Sequence, residues 1–104
     1  MNKLFKVAAI MEARKIDVTK LNGQQDKMLV RGIVLQGAGC SLYAEIYGEL
    51  CRAFEEDAIR EGDLICAGIQ LKCREWRTQQ GDPRYETKAS LQSWMKINND
   101  IKTF

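Results

Sequence analysis

Histidine is absent from this chain of 104 residues, and with it the side chain that most often serves as a general base near neutral pH and as a metal ligand. No phosphate-binding glycine loop and no nucleophile clustered with its base takes its place. The sequence is therefore expected to encode no enzyme, to hold no metal and to require no cofactor. Long apolar runs are also missing. No stretch approaches the roughly 18 to 20 residues needed to cross a bilayer, and the apolar run from Val7 to Met11 is too short for a signal peptide. The expected location is the cytoplasm, away from any membrane. Proline occurs once, at position 83. The four cysteines, at positions 40, 51, 66 and 73, lack the close spacings of zinc sites or redox motifs. They read as small buried hydrophobes in a reducing compartment.

What is present suits one domain over residues 1–104 with a single core, closed by a short tail at 98–104. The net charge of +2 is unevenly spread. Residues 1–48 carry +3, residues 49–63 carry −4 and residues 64–104 carry +3. If the acidic segment folds as a helix set apart from a sheet, the sheet surface becomes more basic than the total suggests.

Residues 3–11 and 27–36 are rich in strand formers, with a turn at Asn22-Gly23 between them. Residues 12–20 are more polar and fit either an extension of the first strand or a loop. Gly37 to Gly39 interrupts, and a third strand follows from Cys40 to Tyr47, where Leu42, Ala44 and Ile46 alternate with Tyr43, Glu45 and Tyr47. Gly48 stops it. From Glu49 to Ile59, Leu50, Phe54 and Ala58 recur at four-residue spacing, which predicts a short amphipathic helix with Glu55, Glu56 and Asp57 as a solvated face. After Gly62 a long fourth strand places Ile65, Ala67, Ile69 and Leu71 on one face and Gln70, Lys72, Arg74 and Trp76 on the other. Gln79 to Pro83 makes a turn, and residues 84–97 form the fifth strand. There Tyr85, Thr87, Ala89 and Leu91 alternate with Arg84, Glu86 and Lys88, so Tyr85 reads as core.

The two final strands form a hairpin whose arms interleave cations with aromatic rings. A polynucleotide needs positive charge along its backbone and flat π-faces for its exposed bases. Trp76 and Tyr47 are the candidate stacking residues, and Lys72, Arg74, Arg77, Arg84 and Lys88 the candidate phosphate ligands. The competing interpretation is a solvated hairpin whose cations pair with Glu75 and Glu86. Trp94, outside any motif, is assigned to packing or a subunit contact.

Five strands with one short helix between the third and fourth give an all-β fold in the order of the OB-fold, a small Greek-key barrel that often binds oligonucleotides. The rival architecture is a generic α+β sheet with one helix. Over nearly its whole length the chain also resembles the bacterial single-stranded DNA-binding proteins. The resemblance rests on Asn2 to Val7, on Tyr47 to Ala53 with Ile59 to Leu64, and on Arg74-Glu75-Trp76 with Gly81, Arg84, Tyr85 and Thr87. It implies a homo-oligomer, tetramer or dimer, that binds single-stranded DNA without sequence preference in replication, repair or recombination. By position it makes Trp76 a base-stacking tryptophan and Tyr47 a stacking aromatic. Two departures stand out. Ser41 occupies a position where the family usually carries another tryptophan, and the chain lacks the usual linker and acidic tip that recruit replication and repair proteins. An alternative is thus an OB-fold oligomeric adaptor, or a primosome-type accessory, that binds nucleic acid weakly.

Overall fold

The computed structural model describes residues 2–37 and 39–97. The expected tail at 98–104 lies outside the described residues. Six strands and one helix follow in order: β1 (Asn2–Ile10), β2 (Arg14–Thr19), β3 (Gln25–Gly37), β4 (Cys40–Tyr47), α1 (Glu49–Glu56), β5 (Leu64–Arg77) and β6 (Pro83–Lys96). The expectation of five strands is corrected by β2, which pairs antiparallel with β3 from Arg14↔Val30 to Thr19↔Gln25. Its polar sequence follows from its place at one end of the strand order, where most of its side chains face water. The helix consequently falls between the fourth and fifth strands.

The pairings run in a closed circuit. β1 pairs with β5 through residues 2–6 and with β3 through residues 6–10, with a register shift between Val7 and Ala9. A bulge bends a strand and adds twist, which lets β1 serve two neighbours. β3 pairs with β4, β5 with β6, and the parallel contact Glu45↔Ser90 joins β4 to β6. Inward residues alternate over parts of β1, β4 and β6, as the pleat requires. Phe5, Val7, Ile33, Leu35, Ala44, Ile46, Ile65 and Leu91 form the core. Each of these side chains larger than alanine contributes on the order of 1.5–3 kcal/mol when fully buried.

The helix lies against this core through Cys51 and Phe54. Gly48 introduces it at φ 62°, ψ −133°, a conformation that side chains strongly disfavour. Its backbone turns the chain out of β4, and its carbonyl accepts from the Cys51 amide at 3.0 Å. Ala58, at φ 53°, ends the helical path before the predicted Ile59. The acidic residues are not merely solvated. Glu55 pairs with Arg31, and Asp57 accepts a hydrogen bond of 2.6 Å from the Trp94 indole N–H. Trp94 also meets Phe54 edge-to-face at 5.4 Å, so its role is packing.

Two expectations fail for one reason: the hairpin outruns the core. From Gln70 to Arg77 every residue of β5 is exposed, on both faces. Tyr85 keeps the predicted alternation with Ala89 yet is 65% exposed. Cys73 is likewise exposed, as is Cys40; Cys66 is half-buried and only Cys51 is buried, all four being free thiols. Eight residues at about 3.3 Å each carry the ribbon roughly 26 Å beyond the last core pair, and the molecule measures 65 × 33 × 20 Å. Among the described residues no helix is long and apolar enough to cross a membrane.

Candidate nucleic-acid interface

Register decides which hairpin side chains meet. In an antiparallel pair, residues directly opposite share a face. The pairs Lys72↔Lys88, Arg74↔Glu86 and Trp76↔Arg84 therefore place four cations, one indole and one carboxylate on a single face of the ribbon. Upstream the same face continues through Gln70↔Ser90 and, by the contact of Ser90 with Glu45, onto the outer surface of β4. The reverse face carries Leu71, Cys73, Glu75, Thr87 and Tyr85.

Six of the seven predicted residues share that outer face. Tyr47, Lys72, Arg74 and Lys88 line one open groove of about 470 Å³ at the foot of the ribbon, together with Gln70, Ser90 and Gln92. Trp76 and Arg84 lie farther out, with Trp76 still 39% exposed. Arg77 does not join them. It sits on the reverse face, where its guanidinium donates to the Gly81 carbonyl at 3.0 Å and braces the tip.

The electrostatics of the face are unbalanced. Among the described residues no ion pair engages Lys72, Arg74, Arg84 or Lys88. Arg74 has Glu86 directly opposite, yet its guanidinium lies over the Trp76 ring, 5.1 Å from the centroid. A cation on an indole face keeps its N–H groups free at the edges. Lys72 and Lys88 oppose each other directly, an arrangement that destabilises a sheet. Folding has no use for this pair, whereas a polyanion would relieve it.

Tyr47 is held rather than loose. Its hydroxyl donates to Glu45 Oε1 at 2.9 Å, while Glu45 Oε2 takes the Arg14 guanidinium at 2.8 Å. Burial, then the Glu45 contact, pushes the Tyr47 phenol up to about 12, so it stays neutral as the pH rises through the ordinary tyrosine range. Glu45 holds the Tyr47 hydroxyl at the groove's wall, and its side chain is only 14% exposed. Paired with Arg14, it presents little bare negative charge to an approaching phosphate.

Two residues escaped the reading from sequence. Arg14 is remote in the chain and reaches the face only because β2 folds beside β3. Tyr43 was visible in the alternation with Leu42, Ala44 and Ile46, and it is half exposed on the same outer face as Tyr47. No metal-binding cluster of three or more ligands occurs among the described residues.

The described residues thus define a circuit of antiparallel strand pairs closed by one parallel contact, with one helix and a long, wet, cationic ribbon. No family model matches the sequence, and no curated protein does. Among solved structures the fold is similar to the crystal structure of the mitochondrial single-stranded DNA binding protein Rim1 from S. cerevisiae. The TM-score is 0.53 at 15% identity, over 95% of this chain and 94% of that one. At this identity the likeness shows the fold.

Proposed function

We propose that this chain binds single-stranded DNA without sequence preference, on a five-stranded OB-type barrel (β1, β3, β4, β5 and β6) with the β5–β6 ribbon as its reach. The carrying observation is the ribbon's outer face, where, among the described residues, no ion pair engages Lys72, Arg74, Arg84 or Lys88 around an exposed indole. Trp76 and Tyr47 stack bases; the four cations hold phosphates; Arg77 shapes the tip. Stacking tolerates any base because every base has a π-face. The name of the fold's structural neighbour supports the same ligand. Binding is the whole activity and no reaction follows it.

The setting we assign is DNA replication, repair or recombination in the cytoplasm, with the chain as a homo-oligomer. Support for oligomerisation comes from the outer row Leu4↔Cys66↔Met95 across β1, β5 and β6, where Leu4 is 57% and Met95 64% exposed. Sedimentation of the free protein tests it, and a monomer at micromolar concentration would count against it.

The test of binding is a titration of tryptophan emission with oligo(dT) at two salt concentrations. Saturating quenching, weaker at high salt, is expected. In Trp76→Ala, affinity should fall by roughly five-fold to a hundred-fold, since one stacked base contributes about 1–3 kcal/mol. Neither quenching nor salt dependence in the native chain would leave the adaptor as the better reading.

A further inference from the structure

Tyr43 is costly to seat for a residue that buries so little. Its phenol rests on Gly32 of β3. A Cβ at that glycine would stand 2.5 Å from the Tyr43 hydroxyl and 2.9 Å from ring carbon Cε2. Glycine weakens a strand interior, and one of its uses there is to admit a close approach. The Arg14 guanidinium lines the same cleft as the ring, with Glu45, at 2.8 Å, as its ion-pair partner. The ring is nevertheless half exposed, at 50%. One side is spent on the glycine and the other is open.

The position of this ring matters more than its exposure. Glu45↔Ser90 is a parallel pair, so two residues back along each strand Tyr43 comes level with Lys88, and through Lys88↔Lys72 with Lys72. Beyond that single pair β4 and β6 separate. The cleft between them, about 510 Å³, has Arg14, Tyr43, Glu86 and Lys88 among its walls. It shares Lys88 and Ala89 with the groove at Tyr47, so the two depressions adjoin on either side of Lys88. A backbone crossing Lys88 therefore meets a second aromatic surface on the far side.

We infer that Tyr43 is a further stacking platform for a nucleobase, reached by a single strand that leaves the ribbon across Lys88. The inference rests on the reading of the ribbon as a nucleic-acid surface, and it extends the contact from the hairpin across β4. Lys88 takes the phosphate between the ribbon and the cleft. The phenol takes the next exposed base on its open side, and the close seat on Gly32 keeps the ring from turning away.

The experiment uses the full chain and labelled oligo(dT), read by fluorescence anisotropy, beside an abasic oligomer of equal length. Tyr43→Leu keeps apolar bulk over Gly32 without a π-face, and should weaken oligo(dT) binding by on the order of ten-fold. The same variant should bind the abasic oligomer like the native chain, because there is no base to lose. Tyr43→Phe should retain most of the affinity, and Gly32→Ala, which displaces the ring, should behave like Tyr43→Leu. Equal losses on both oligomers would mark Tyr43 as structural support and overturn the inference. So would native affinity in Tyr43→Leu alongside weakened Trp76→Ala, which leaves the ribbon reading standing. A native chain that binds neither oligomer would overturn both.

Discussion

Lys72 and Lys88 give the sharpest division between a surface built for stability and one built for a ligand. They are directly opposed on exposed strands, so their Cβ atoms lie about 4.5–5.5 Å apart and their repulsion costs some tenths of a kcal/mol, up to about 1. Replacing both, Lys72→Gln with Lys88→Gln, removes that repulsion while keeping length and polarity. The double variant should melt no lower than the native chain and up to about 4 °C higher. Binding should move the other way. For single strands log K falls with log salt at about −0.7 per neutralised phosphate, so four ribbon cations predict a slope near −2.8 and the double variant a slope near −1.4. Two instruments therefore read opposite signs from one substitution: a thermal melt and an anisotropy titration over a salt series. An unchanged slope in the double variant, with binding intact, would refute the assignment of these lysines to phosphate. A fall in melting temperature would refute the claim that the fold has no use for them.

Other expectations concern the scaffold. Trp94→Phe keeps the ring against Phe54 but loses the hydrogen bond to Asp57, and should lower unfolding free energy by about 1–2 kcal/mol in a denaturant titration. Because it leaves Trp76 as the sole indole, its emission should still be quenched by oligo(dT); loss of quenching would place the ligand at the helix instead. Gly48→Ala meets no atom within 4 Å, yet forces a side chain into the φ 62° conformation, and should cost about 1–3 kcal/mol by chemical unfolding. Asp63 accepts the Arg60 amide at 2.8 Å and an ion pair from Lys96, the amide first holding its carboxyl below the usual 3.8. A lowered folded value means stability that is present above pH 3.8 and lost as the pH falls through the folded value. Asp63→Asn should accordingly lower the neutral plateau of a plot of melting temperature against pH while leaving the acid end little changed, so that the acid limb flattens.

The legible and illegible parts of this chain divide along physical lines. β4, β5 and β6 were readable within a residue or two because one face of each is buried for part of its length, and burial imposes alternation on the sequence. The break at Gly48 was readable because only glycine accepts that backbone conformation. β2 was not, since an end strand with most of its side chains in water carries no such pattern. Tyr85 and Leu71 were misplaced by the same rule that placed Ile69 and Leu91 correctly: alternation reports which face a residue occupies, and is silent on where along the ribbon the core stops. That distance is set by how far β3 and β4 accompany the hairpin, a tertiary fact.

The candidate interface has the complementary logic. Outside the core nothing in folding selects between a lysine and a glutamate at position 72 or 88, so ordinary surface chemistry would favour opposite charges across the pair. The chain instead opposes like with like, and places Arg74 on an indole rather than on the carboxylate facing it. A sheet keeps such an arrangement when something other than the sheet benefits. Tyr47 and Tyr43 extend the argument to the barrel wall: one is locked by a neutralised carboxylate, the other seated on a missing side chain, and each holds a ring still beside cations that stand without acidic partners among the described residues. Rings fixed in advance lose little freedom when a base arrives, and preorganisation of that kind strengthens binding without adding a contact.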